Sequence, residues 1–282
     1  MIISSFILVV ISIINFYITK KTNLSYILLF ISLVIALYYE NITFIALPFL
    51  LILGISIYAF YNFKKYKFIS FSLVVLLSIA LAAHIIPGFQ GYNLIEDIKL
   101  STNSAPYSIW LSFDKVMISV LFILLCKISF EDNYTWVLTL KKIFLYWGLT
   151  LISLVPIAIM VDYLVLDIKL PSFEFIVIWS FKMLFFTVLA EELFFRYFLL
   201  NAIKEFASKY KYKNHLALFV SSLLFGLAHF GGGFEYIFLA FIAGLFYGAV
   251  YLKTNKIESA ILLHFFINFV HLLLLSYPYA IL

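Results

Sequence analysis

The chain has 282 residues, of which 65% are hydrophobic and 12% charged, with a formal net charge of +5. Soluble domains average about 45–50% apolar and about 25% charged residues, so a soluble globular chain is excluded. The apolar runs are continuous instead of alternating every second residue, which excludes a transmembrane β-barrel, and lysine-rich cytoplasmic loops account for the positive charge without a nucleic-acid partner.

Many of the apolar runs approach the roughly 20 residues that a helix needs to cross a bilayer. They predict an all-α, polytopic transmembrane helix bundle whose spans lie near 2–19, 24–39, 42–63, 68–87, 115–128, 143–161, 173–203, 214–230, 234–252 and 257–276. The first run lacks a basic leading segment and a small-residue cleavage site, so it reads as a membrane helix and not a signal peptide. Lys20 with Lys21, the lysines of 64–67, Lys141 with Lys142, those of 204–213, and Lys253 with Lys256 then fall on one side. Glu40, Glu96, Asp97, Asp162, Asp167 and Glu174 fall on the other. The positive-inside rule makes the lysine side cytoplasmic and puts both termini on the opposite face. The segment 87–115 is too long for a simple turn, and its aromatics suggest a piece that lies on the membrane or caps the bundle. Cys126 is the only cysteine, which rules out a disulfide framework and a cysteine metal cluster. The chain reads as one membrane domain, 1–282, with variable helices over 1–142 and its chemistry in the last four spans. The composition suggests an AT-rich genome, and the expected location is a prokaryotic cytoplasmic membrane.

Ionisable groups at membrane depth cost about 2.5–3.5 kcal/mol each on insertion scales and usually face a cavity or a partner. The segment "AEELFFRYFLL" (190–200) places Glu191, Glu192 and Arg196, the one arginine of the chain, at such depth. Glu192 and Arg196 are four apart in the favourable acid-then-base order, which predicts an ion pair; an arginine can hold a carboxylate through two parallel bonds. Glu191 is turned about 100° away and is left available for chemistry. His264 and Asn268, also four apart, look into the same space. Together they can donate two hydrogen bonds to one oxygen, which is what a tetrahedral oxyanion requires. His229 adds an imidazole that can share a proton with a carboxylate near neutral pH. Counted along their helices at about 1.5 Å per residue, Glu191, His229, His264 and Asn268 lie roughly 18, 22, 10 and 16 Å from the cytoplasmic end, so they can meet. His84, His215 and His271 read as hydrogen-bonded core histidines, and the glycines of "HFGGGF" as a turn.

"EELFFR", "FGLAH" and "HFFIN" match EExxxR, FxxxH and HxxxN motifs in that order. The ordered set resembles the CPBP (CAAX protease and bacteriocin-processing, or Abi) intramembrane endopeptidases, over a core of about 173–276. The resemblance implies that Glu191 and His229 activate the attacking water, that His264 and Asn268 form the oxyanion hole, and that Glu192 and Arg196 hold the site together. It implies no cofactor and no metal, and a substrate that is a membrane-associated protein or peptide. Tyr197 stands where a glycine often follows the arginine and no proline precedes the glutamates, which leaves the substrate subgroup open. Two other readings compete. A carboxylate and two histidines can bind catalytic zinc, although no HExxH is present. A transporter or immunity-type binding protein would also carry a polar membrane cavity, although transporters tend to repeat their broken helices in two halves.

Overall fold

A computed structural model describes residues 2–19, 22–130 and 136–281; Lys20 and Lys21 of the expected cytoplasmic charge lie outside them. The helices are α1 (Ile2–Thr19), α2 (Thr22–Tyr38), α3 (Leu47–Asn62), α4 (Lys67–Ala82), α5 (Phe113–Leu125), α6 (Trp136–Met160), α7 (Phe173–Phe206), α8 (Lys213–Leu227), α9 (Gly233–Thr254) and α10 (Ile257–Leu274). A hairpin of β1 (Tyr92–Ile98) and β2 (Tyr107–Leu111) lies between α4 and α5. Each expected span falls on one helix. Among the described residues, six helical runs, those of α1, α4, α6, α7, α9 and α10, are long and apolar enough to cross a membrane. The protein is an integral, multi-pass membrane protein.

The chain divides into two compact units, one of Met1–Asn93, Trp110–Asp132 and Phe185–Ala190, the other of Leu94–Ile109, Asn133–Leu184 and Glu191–Leu282. In the first, α5 has 13 residues, buried on nearly every face. That is about 20 Å of helix, too short for a tilted lipid-facing span, and α1, α3 and α4 pack around it. Phe6 of α1 meets Phe113 of α5 with ring centroids 4.7 Å apart. Serines let α1 and α2 approach closely: Ser12 donates to the Ser25 carbonyl and Ser32 to the Ser5 carbonyl, both at 2.7 Å. His84 departs from the core histidine expected. Because α4 ends at Ala82, His84 falls in the turn at φ +57°, its side chain 58% exposed, with Nδ1 against the buried carboxylate of Asp114.

In the second unit, α6 packs on α9 and α10, and α8 packs on α9. Glycines set the α8–α9 distance. A Cβ on Gly226 would come within 2.7 Å of the Ile237 carbonyl, and one on Gly248 within 2.5 Å of Leu218. The segment 87–115 holds the hairpin, and its tip caps this unit, the second of the two arrangements expected. Ser101 and Ser104 donate to Asp167, Ala105 N–H donates to the Tyr279 carbonyl at 3.1 Å, and Ile281 N–H to the Asn103 carbonyl at 3.0 Å. Asp167 faces opposing influences. Burial would raise its pKa, but the Ser101 and Ser104 hydroxyls and the Lys169 charge outweigh that and hold the carboxyl below its ordinary value. His215 is exposed at the start of α8, not in the core as expected. His271 fits its expectation, with Nε2 bonded to the Ser276 carbonyl at 3.0 Å.

Candidate active site

The two glutamates sit on a short α-helical stretch, Leu189–Glu192, between two π-helical segments of α7, Leu184–Val188 and Leu193–Leu200. Such wide turns are rare and occur frequently at functional sites. Here the second one carries Arg196. The ion pair expected from α-helical spacing nevertheless forms: Arg196 Nη1 donates to Glu192 Oε1 at 3.1 Å, with both side chains at 1% exposure or less. The expected two-bond fork does not form. The second guanidinium nitrogen, Nη2, donates instead to the Gly244 carbonyl at 3.4 Å, so the arginine ties α7 to α9. Its guanidinium lies 4.2 Å from the centroid of Phe225 and 5.3 Å from that of Tyr247. Cation–π attraction of this kind strengthens when desolvated.

Glu192 does more than neutralise the arginine. Its Oε1 also accepts from His264 Nδ1 at 2.7 Å, which joins α7 to α10. A carboxylate only accepts, so Nδ1 carries the hydrogen and Nε2 is the nitrogen turned elsewhere. The His264 ring is stacked on Tyr247, centroids 4.5 Å apart and 17° from parallel, with Phe225 edge-on at 5.8 Å. Glu192, Arg196 and His264 thus form one buried chain braced by two aromatic rings.

Asn268, one turn further along α10, does not bond His264. Its Nδ2 donates to Met183 Sδ at 3.4 Å. A thioether is a weak acceptor, so this amide can be surrendered to a better one at small cost. His229 lies just past the end of α8, not inside it, because α8 has only 15 residues and ends at Leu227. Its Nδ1 donates to the Phe225 carbonyl at 2.7 Å, which places the lone pair of the neutral ring on Nε2.

His229, His264 and Asn268 line one cavity of about 100 Å³, together with Tyr236, Tyr247, His271 and aliphatic side chains of α6, α9 and α10. Neither glutamate forms part of its wall. Glu192 reaches it through His264, and Glu191 is within electrostatic reach of Tyr236, Tyr247 and Arg196. Tyr236 stands edge-on to His229, centroids 5.1 Å apart. Space for it comes from Gly232, where a Cβ would fall 2.3 Å from the Tyr236 ring. The glycines expected only to turn the chain also seat this tyrosine.

Sequence reasoning missed Tyr236, Tyr247 and Gly244. A signal for the last existed, since Gly244 and Gly248 are four apart, the small-residue spacing that lets membrane helices approach closely. It also passed over Lys182, a half-buried cation on α7. Residues 173–270 match the family model described as type II CAAX prenyl endopeptidase Rce1-like. No curated protein and no solved structure matches the chain significantly.

Proposed function

We propose, from the match of residues 173–270 to the type II CAAX prenyl endopeptidase Rce1-like family model, that the protein is a membrane protease acting on a membrane-associated protein, in which Glu191 and His229 activate a water molecule. A proton of that water passes to the Glu191–His229 pair, and the oxygen attacks the carbonyl carbon of the scissile bond. The carbonyl electron pair moves onto its oxygen. Asn268 Nδ2–H and, in the doubly protonated ring, His264 Nε2–H donate to that oxyanion. Collapse of the tetrahedral intermediate breaks the C–N bond, and the departing nitrogen takes up the proton held by His229. One oxyanion donor is worth about 2.7–4 kcal/mol of barrier.

Local geometry supports the roles given to His229, His264, Glu192 and Arg196. The Phe225 carbonyl fixes the His229 tautomer that leaves Nε2 as the base. Glu192 orients His264 through Nδ1, and Arg196 anchors Glu192. The observation that carries the reading is that His229, His264 and Asn268, from two separate sequence motifs, line a single cavity, with Glu192 bonded to His264 and Glu191 within electrostatic reach of Tyr236 and Tyr247 on its wall. Comparison of peptide termini in membranes from cells bearing the wild-type chain or Glu191→Ala tests it. New ends present with the wild type, and absent with Glu191→Ala at equal protein level, support an endopeptidase. Identical sets of ends contradict it.

A further inference from the structure

His264 and Asn268 ride on the regular turns of α10, but His229 follows the end of α8, with its backbone at φ −98° and ψ 20° and its N–H on the Gly226 carbonyl at 2.9 Å. The bond from Nδ1 to the Phe225 carbonyl, 2.7 Å long, fixes one edge of the ring. A ring held at one edge can still tilt about the line of that bond, and a tilt moves Nε2, the nitrogen that faces the reacting water in the mechanism above.

Two aromatic rings bear on the imidazole and oppose that tilt. Phe225 is inclined to it with centroids 4.7 Å apart, and Tyr236 stands at 87° to it with centroids 5.1 Å apart. Edge-to-face pairs at about 4.5–7 Å are favourable beyond the area they bury, so they fix relative orientation as well as contact. Phe225 belongs to the same helix end as His229. Tyr236 comes from the first turn of α9 and is the contact that ties the imidazole to another element.

Tyr236 is itself braced on two sides. Its ring folds back over Gly232, where a Cβ would fall 2.3 Å from Cδ1 and 2.8 Å from Cγ. Any side chain at 232 would drive the ring into another rotamer. Tyr163 stacks on the ring with centroids 5.4 Å apart and planes 9° from parallel. The backbone of Tyr163 is bonded at both polar groups: its N–H donates to the Ala158 carbonyl and its carbonyl accepts from the Ala280 N–H, both at 3.0 Å. The contacts of Tyr236 with Tyr163 and with His229 are ring contacts, for which a phenyl ring would serve as well.

We propose that Tyr236, backed by Tyr163 and seated by the missing side chain of Gly232, is a positioning residue for His229, its ring holding the plane of the imidazole that aims Nε2 into the cavity. The consequence for water activation rests on the proteolytic reading above; the clamp on the ring does not.

Nitrogen NMR of the purified full chain in detergent, labelled at its histidine rings, tests the clamp without a substrate. The His229 signals are identified by their loss in His229→Asn, and spectra are taken at about pH 9, where an ordinary histidine is neutral. Wild type and Tyr236→Phe should show one tautomer, with Nδ1 protonated. Tyr236→Leu and Gly232→Ala should both show averaged tautomers, as the ring leaves the Phe225 carbonyl. Gly232→Ala keeps the tyrosine and moves only its ring. The His264 signals report whether the rest of the site is intact. Where a variant disturbs them too, Tyr163→Leu, which removes only the backing, decides, and averaged His229 tautomers are again expected. A single unchanged tautomer in these variants overturns the proposal, as does averaging in Tyr236→Phe, which would give the role to the hydroxyl. With the peptide whose new ends appear with the wild type, Tyr236→Leu and Gly232→Ala should lower kcat about 10- to 100-fold, the loss that a misplaced catalytic group brings. KM should barely change, and Tyr236→Phe should restore most of the rate. Full kcat alongside averaged His229 tautomers overturns the positioning role. If Glu191→Ala yields the same peptide ends as the wild type, the proteolytic reading fails and the histidine signals alone decide the clamp.

Discussion

Arg196, the one arginine of the chain, is spent on holding Glu192 between α7, α9 and α10. Removing one partner of a buried ion pair strands the other charge and typically costs about 3–5 kcal/mol. Arg196→Ala and Glu192→Ala should therefore lower the melting temperature in detergent by several degrees, and Glu191→Ala should not. The double change Glu192→Leu with Arg196→Leu should recover part of the loss, although His264 then loses its anchor and activity does not return. Circular-dichroism melts of these variants decide the matter. If Glu191→Ala is the most destabilising single change, the roles of the two carboxylates are exchanged. The Glu192–Arg196 pair was legible in the sequence because spacing of four places two side chains on one helical face even where α7 widens. The Glu192–His264 bond was not, because it joins positions 72 apart, and no local pattern encodes which of two adjacent carboxylates a distant histidine meets.

The helices were legible as apolar runs, but their ends were not. His84 and His229 sit in apolar surroundings that continue past the last hydrogen-bonded turn, so both read as lying inside spans and both lie beyond them. The π-helical segments of α7 carry no compositional mark. The hairpin was hidden by its length of connection, although "YNLIEDI" and "YSIWL" hold the aromatic and β-branched residues that favour strands. Gly226 tests the close approach of α8 and α9. With the Ile237 carbonyl 2.7 Å from an added Cβ, Gly226→Ala should cost about 1–3 kcal/mol of overpacking and shift the melting curve down. An unchanged melt would show that the two helices have room to part. At the cap, Asp167 gives a pH dependence of known sign. Its carboxyl is held below the ordinary value by Ser101, Ser104 and Lys169 against the effect of burial. The contribution is therefore complete above the unfolded value of about 3.9 and is lost as the pH falls through the lower folded value. The protection of the Ala105 and Ile281 amides against hydrogen exchange, taken relative to the intrinsic rate at each pH, should fall below about pH 4, since both are bonded across the cap. Asp167→Asn should exchange fast already at neutral pH. Equal protection at pH 3 and pH 7 would contradict this account of the cap.

At the scale of the molecule, six long apolar helical runs among the described residues make an integral membrane protein, and residues 173–270 match a protease-family model. The water-activation mechanism uses no metal, so proteolysis by the purified protein should survive prolonged chelation. Loss of activity restored specifically by zinc would replace the mechanism with a metal-dependent one. The order of motifs made the membrane-protease reading available from sequence alone. The central claim is that the carboxylate at position 191 is needed, with His229, to take the proton of the attacking water. The measurement that reaches it most directly is single-turnover cleavage, by wild type and by Glu191→Gln, of a peptide identified from the wild-type membranes. Glutamine keeps the shape and removes the base. The account predicts that Glu191→Gln binds the peptide with unchanged affinity and cleaves it at least 100-fold more slowly, about the factor that general base catalysis supplies. Cleavage by Glu191→Gln at the wild-type rate would contradict it.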